Sequence, residues 1–498
     1  MFDSPAVDFH AFGPEIVLVA VLVVLLLVDL IFEERARWAS STIAGVGLLA
    51  ALVPVLTLAV DGSDRSMFGG AYVVDNFALV LKGLFLVAGY VAVLISTDYI
   101  ADGDYYEGEY YFMLLSSLLG MTVMASARDL LSIFVALELL SIPAYLLAGW
   151  RKRDLRGNEA SLKYYLLGVF ASAVMLYGMS LVFGVTGSTL LSEIGAVVSA
   201  GARSVPVVTV GIVFIVVGFA FKVSAVPFHT WAPDTYEGAP TPITAFLSVA
   251  SKAAGFVALI QLVFLGFLGR DDVWAPMFWV LAVLTMTVGN LIALRQTNIV
   301  RMLAYSSVAQ AGFMLAPFAV GADIPLDRGG IGAATGAVVT YLLIYSAMNL
   351  GAFAVVMAVA RKTRSGEIAS YGGLFQYAPG LTVLMTIFLF ALAGIPPLAG
   401  WYAKFVVFKS LLDAGTAAAV ALAVVAAVNS VIALYYYASV AREMWMSPLP
   451  EGQDAAPVRV PASLGASLVL CALATLAIGV APNLIARLGE LALFGALP

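Results

Sequence analysis

The sequence predicts an all-α polytopic membrane protein of about fourteen transmembrane helices, and three observations carry that prediction. Of its 498 residues, 62% are hydrophobic and only 11% are charged, whereas soluble chains carry about 25% charged residues. Apolar runs of bilayer length recur from one end of the chain to the other. Several of those runs contain a lysine or a glutamate, which packing in lipid does not call for. So few charges cannot cover a soluble surface of this size, so most of the surface must face lipid or other apolar protein. The net charge of −6 says little, because the charges are confined to loops.

A bilayer core takes about 20 apolar residues per helix. Runs of that kind lie at 15–32, 40–60, 74–97, 110–126, 130–150, 159–184 and 205–233. Further runs lie at 241–268, 274–294, 298–319, 331–360, 379–412, 416–441 and 463–486. The first is preceded by acidic Asp3 and Asp8 and ends in EERAR, without a basic leader or a small-residue cleavage site. It reads as a retained helix, not a signal peptide. The longest hydrophilic loop, 442–462, leaves no room for a soluble domain. With fourteen spans, alternate loops share a side. One set holds thirteen Lys and Arg, among them Arg35, Arg37, Arg151, Lys152, Arg153 and Arg156; the other holds six, including Arg65, Arg128 and Arg203. Positive loops stay in the cytoplasm, which places both termini outside.

The remaining six of the 25 basic residues are Lys82, Lys163, Lys222, Lys252, Lys404 and Lys409, all inside apolar runs and none of them arginine. Lysine can lose its proton when desolvated and arginine effectively cannot. A site that gains and releases protons therefore uses lysine. Glu138, in LLSIFVALELLSIPAYLLAGW, adds a carboxylate at similar depth. A charge at the bilayer centre costs at least about 2.5–3.5 kcal/mol on insertion scales, so several together call for a functional reason. Lys163 and Lys409 lie near span ends, where a long side chain reaches the interface. Lys82 is accounted for by pairing with a neighbouring carboxylate. Glu138, Lys222, Lys252 and Lys404 are too deep for either explanation.

Two spans are broken. In GFAFKVSAVPFHTWAPDTYEGAPTP, Lys222 stands five residues before Pro227, with His229 just beyond. Proline removes a backbone donor and clashes with the preceding turn, so the helix must open. Backbone carbonyls freed at membrane depth need protein partners or a wet cavity, and Ser224, Thr230 and His229 are the expected partners. The next helix should restart with Thr241 as cap and Pro242 at the first helical position. In LFALAGIPPLAGWYAKFVVF, Pro396 and Pro397 interrupt the run and Lys404 follows. The two breaks fall in the seventh and twelfth spans, an odd offset, so the two helices cross in opposite directions. That is the pattern of inverted repeats with sites at the broken helices. The chain divides into three N-terminal helices (1–109), a five-helix repeat (110–268), its inverted partner (274–441), and a loop with the last helix (442–498).

One cysteine, Cys471, and two histidines, His10 and His229, exclude Cys-ligated clusters within the chain and offer no metal-ligand spacing. Nothing suggests nucleotide or nucleic-acid binding. The acidic loop DYIADGDYYEGEYY (98–111) has no assigned role beyond a docking surface.

These residues resemble the antiporter-like subunits of respiratory complex I, over essentially the whole chain. The matching segments are FVALELLSIPAYLLAG, FKVSAVPFHTWAPDTYEGAPTPITAFLSVASKAAG and LAGIPPLAGWYAKF. Lysine at 404 is similar to two of the three paralogues; the third typically has glutamate there. YLLGVFASAVMLYGMSLVFGVTGS (165–188) is similar to one of them, and the chain ends without the long lateral helix of the largest. The resemblance implies proton translocation driven by quinone reduction elsewhere in the complex. It implies that Glu138 pairs with Lys222, that Lys163 tunes that pair, that Lys252 with His229 leads to the cytoplasm, and that Lys404 continues the path. It implies no cofactor in this chain, with NAD, flavin, iron–sulfur clusters and quinone in or between other subunits. Its partners would be other membrane-arm subunits in a bacterial cell membrane. A subunit of a multisubunit cation/proton antiporter or membrane-bound hydrogenase shares the same core. A stand-alone secondary transporter or a structural scaffold are the readings of a different class.

Overall fold

The computed structural model describes residues 7–32, 37–103, 107–201, 206–452, 454–492 and 494. The first helices are α1 (Gly13–Phe32), α2 (Arg37–Asp61), α3 (Asn76–Ala101), α4 (Glu107–Ser126), α5 (Leu130–Ala148), α6 (Leu155–Thr186) and α7 (Leu191–Ala200). They are followed by α8 (Pro206–Lys222), α9 (Trp231–Gly238), α10 (Thr241–Phe246), α11 (Lys252–Gln261), α12 (Asp271–Ala293), α13 (Ile299–Leu315) and α14 (Gly330–Thr363). The remainder are α15 (Leu374–Tyr377), α16 (Pro379–Ala393), α17 (Gly400–Ala414), α18 (Ala417–Met446), α19 (Ala462–Val480) and α20 (Asn483–Leu491). Helix α10 runs through a π turn, Leu247–Ser251, directly into α11.

Among the described residues, eleven helical stretches are long and apolar enough to cross a membrane. At the other three expected places the chain forms α4, of 20 residues, and two interrupted helices, α8 with α9 and α16 with α17. Polar residues start the helices where the sequence changes character. The side chains of Asp75, Asp129, Asp154, Asn298 and Thr416 each accept a first-turn amide, of α3, α5, α6, α13 and α18 respectively.

Burial grades from the centre outwards. Stretches Thr241–Gly266, Ile299–Asp323 and Leu326–Thr363 are buried over 100%, 94% and 89% of their most apolar parts, whereas Leu155–Thr186 is buried over only 28%. Three helices thus form an inner column, and the outer ones turn side chains such as Phe170 and Val431 outward. Helices approach closely where small residues allow it. A Cβ on Gly178 would stand 2.7 Å from the Gly211 carbonyl oxygen, so α6 and α8 meet backbone to backbone there.

Several expectations need correction. The span expected at 463–486 stops at Val480; Pro482, which has no amide proton, precedes the separate helix α20. Thr241 is the first helical residue rather than the cap, which is Pro240, without a side-chain bond. Within this all-α fold, the connection between α2 and α3 also carries a small hairpin, β1 (Arg65–Met67) paired antiparallel with β2 (Tyr72–Val74). Short amphipathic α7 was missed because ten residues are too few for a span signal. Arg35, Arg203 and the extreme termini lie outside the described residues, as do 104–106 of the acidic loop. Elsewhere that loop is used internally: Asp102 pairs with Arg361 and Asp98 accepts from Ser463.

Candidate functional site

Lys222 is the last residue of α8, 4% exposed, and donates to Ser141 Oγ on α5 at 2.8 Å. Glu138 precedes Ser141 by three positions, the spacing that puts two side chains on one helical face. Its carboxylate acts electrostatically on Lys222 without a direct ion pair, and Glu138 Oε1 is buried with no hydrogen-bond partner. The Lys222 ammonium also stands 5.9 Å from the ring centre of Tyr164 on α6.

Beyond Lys222 the backbone turns through Ser224, at φ 60°, and reaches Pro227 through a cis peptide bond. The groups released by the break find partners other than those expected. Trp231 Nε1 donates to the Phe221 carbonyl at 2.9 Å, and the Val226 amide donates to Thr285 Oγ1 on α12 at 2.9 Å. The Trp231 ring stacks on Tyr164, 4.5 Å between centres, which fixes the indole. Ser224 Oγ and His229 Nδ1, expected to serve here, are buried without partners. The His229 ring instead meets the edge of Tyr305, 6.3 Å away.

Lys252 opens α11 directly after the π turn, an irregularity common at functional sites. It is 2% exposed and donates to Ser307 of α13, at 2.7 Å to the carbonyl and 2.5 Å to Oγ. The hydroxyls of Tyr236 and Tyr345 are buried without hydrogen-bond partners, as is Asn349 Oδ1. Asn349 Nδ2 donates to Ser248 within the π turn at 2.7 Å. From the neighbouring Ser306 the polar line continues. Its hydroxyl meets Tyr437 of α18 at 2.5 Å, and Gln310 Nε2 donates both to Tyr437 at 3.3 Å and to the Leu392 carbonyl at 3.0 Å. Tyr341 of α14 donates to Gln310 Oε1.

That line ends at the second break. Helix α16 stops at Ala393, Gly394 takes φ 92°, and Pro396–Pro397 is cis. Lys404, 6% exposed, donates to the Ala393 carbonyl at 2.7 Å and stands 4.8 Å from the Phe313 ring centre. Here the lysine itself satisfies an end carbonyl of the broken helix, the task Trp231 performs at the first break. Three buried lysines, each at a break or a π turn, are thus held by neutral oxygens.

The other three lysines are placed differently. Lys163 is 43% exposed and bridges Asp234 and Glu159, each at 2.8 Å, rather than joining Glu138 and Lys222. Lys82 forms a fully buried ion pair with Glu15 at 2.9 Å and donates to Tyr72 at 2.8 Å. Lys409 pairs with Asp413 at 2.6 Å, half exposed. Reasoning from sequence missed two buried arginines, Arg128 paired with Asp75 at 2.9 Å and Arg270 with Asp272 at 2.9 Å. It also missed Ser141, Thr285, Ser307, Gln310 and Tyr437. Only Ser141 carried a signal, its spacing from Glu138. Among the described residues no group of three or more His, Cys, Asp or Glu could hold a metal ion.

Broken helices in the bilayer with buried lysines set along a polar line define a multi-pass membrane protein of the ion-translocating, antiporter-like class. Residues 127–430 match the family model described as NADH:quinone oxidoreductase/Mrp antiporter, transmembrane region, and the chain belongs to that family. The NADH-quinone oxidoreductase subunit N of Trichlorobacter lovleyi is 40% identical over 486 residues, 97% of this chain and 96% of that one. A chain in the structure of respiratory complex I from Thermus thermophilus with bound aureothin is 30% identical, with a TM-score of 0.77 over 95% of this chain and 98% of that one. A chain of the Mrp complex from Dietzia is 20% identical, with a TM-score of 0.85 over 98% and 97% of the two chains, which shows a shared fold.

Proposed function

We propose that this chain is a proton-translocating membrane-arm subunit of NADH-quinone oxidoreductase, working through Glu138, Lys222, Lys252 and Lys404. One observation carries the reading: the three lysines are buried at structural irregularities and bonded to serine and carbonyl oxygens rather than locked to carboxylates. Each amine keeps the capacity to take or give a proton. A unit charge crossing 100 mV is worth about 2.3 kcal/mol, so crossing in several short transfers divides the load. Between Lys252 and Lys404 the polar groups of Ser306, Tyr437 and Gln310 bridge the two halves. Unpaired Glu138 Oε1, Tyr236, Tyr345 and His229 Nδ1 are groups that water would bridge.

In this reading the chain spans the bilayer fourteen times, with both termini on the outer side of a bacterial cell membrane. Residues 110–268 and 274–441 are its inverted five-helix repeats, broken at Pro227 and at Pro396 and Pro397. His229 and Lys252 face the cytoplasmic intake, and Lys163 adjusts Glu138 and Lys222 from the surface. The chain binds no cofactor; NAD, flavin, iron–sulfur clusters and quinone belong to partner subunits, and antiporter-like paralogues adjoin it. Quinone reduction there alters the Glu138–Lys222 interaction, since a carboxylate moved away from a buried lysine lets its proton leave.

The test is Lys404→Met in assembled complex. Removing the amine of the second half should abolish proton pumping at this subunit and slow coupled NADH oxidation; full pumping in an assembled variant would rule out a path through both halves.

A further inference from the structure

Lys163 is only one end of a charge cluster that joins three helices. Asp234, on α9, offers one carboxylate oxygen to Lys163 of α6 at 2.8 Å and the other to Arg301 of α13 at 3.0 Å. Arg301 also reaches Glu237 at 2.8 Å, and Lys163 reaches Glu159. Arg156, Glu159, Lys163, Asp234, Glu237 and Arg301 line a cavity of about 190 Å³. Each member of these pairs stays between about one third and two thirds exposed, so the cluster is wetted rather than sealed. Ordinary surface pairs of this kind contribute little to stability. The position is what sets this one apart. Helix α9 is the continuation of the broken helix that carries Lys222, and α6 places Tyr164, the residue after Lys163, against the Lys222 ammonium. Arg301 belongs to the helix that also supplies Ser307 to Lys252.

We propose that Asp234 is a positioning residue for proton transfer: shared between Lys163 and Arg301, it holds the Lys163 charge at the surface and links the first broken helix to α13, the helix that supplies Ser307 to Lys252. The inference rests on the proton-relay reading above. A carboxylate with two cationic partners can favour one or the other. When Asp234 leans to Arg301, Lys163 is released from one of its two anchors and its charge becomes available to Glu138, because α6, which carries Lys163, packs against α5, which carries Glu138. When it leans to Lys163, Glu138 is left to Lys222. A small shift of α9 against α13 would then be felt at Lys222 and at Lys252 together, which a two-position carboxylate can transmit.

A double-variant cycle tests this in the assembled complex, with proton pumping and NADH oxidation measured in membrane vesicles for Asp234→Asn, Lys163→Met and both together. Groups in one network couple measurably, so Asp234→Asn should lower pumping by about threefold to tenfold. In the Lys163→Met background the same change should have no further effect. Independent, multiplying effects, or an Asp234→Asn variant that pumps like the parent, would overturn the proposal. If Asp234→Asn does not assemble, Arg301→Gln reads the link from α13: its effect should vanish in the Lys163→Met background, and an undiminished effect overturns the proposal. Lys222→Met run alongside separates the two ideas. Undiminished pumping in that variant sinks the relay itself, whereas abolished pumping with an additive cycle sinks only the role of Asp234.

Discussion

Thr285→Val is the most informative single change at the first helix break. The hydroxyl of Thr285, fully buried on α12, accepts the Val226 amide at 2.9 Å, just before Pro227. Valine has nearly the same shape but no oxygen, so the packing stays and only the hydrogen bond is lost. A buried donor left without its partner costs about 1–3 kcal/mol. Applied to the equilibrium between the observed break and any alternative, that is a change of about fivefold to 150-fold. Because α8 ends at Lys222, four residues before this amide, the loss should loosen the position of the lysine as well as the fold. The assay is the half-life of NADH-driven proton pumping in vesicles held at raised temperature, with Thr285→Ser beside it. The serine variant keeps an acceptor and should behave like the parent, while the valine variant should decay several times faster. Equal half-lives for serine and valine would refute the claim that Thr285 holds the break.

Two further predictions concern other parts of the fold. Glu15→Gln leaves Lys82 buried without its counter-charge, at a cost of about 3–5 kcal/mol, so the amount of assembled complex should drop; adding Lys82→Met should recover much of it. Unchanged assembly of the single variant would show that the pair is dispensable. Gly400→Ala would bring a Cβ to 1.7 Å from the Ala391 carbonyl oxygen across the second break, whereas a Cβ on Gly380 meets nothing within 4 Å. The first should prevent assembly and Gly380→Ala should not, as judged by complex recovered on a native gel.

Much of the fold was legible because lipid imposes one strong rule, that a crossing segment be long, apolar and internally hydrogen-bonded. Runs such as 15–32 and 331–360 therefore stand within a few residues of α1 and α14. Prolines 227, 396 and 397 announced the breaks for the same reason. Partners at the breaks were not legible, because they come from elsewhere in the chain: Thr285 lies 59 residues from Val226, and Gln310 lies 82 from Leu392. Trp231 was close in sequence, but nothing in the sequence singles out its indole as the partner of the Phe221 carbonyl. Lys82 was foreseen to need a carboxylate, yet its partner, Glu15, lies 67 positions earlier, at the start of another span, where the sequence gives no sign that the two meet. Lys163 lies near a span end, and its flexible stem carries the charge out to Asp234 and Glu159, partners the sequence did not name.

The most direct test of the account is proton pumping in membrane vesicles carrying Lys222→Met, with NADH oxidation and complex assembly measured on the same preparation. The account predicts an assembled complex whose proton pumping and coupled oxidation both fall, because methionine fills the same space beside Ser141 but carries no proton. Undiminished pumping and oxidation in a fully assembled complex would contradict it and leave Lys222 a structural residue.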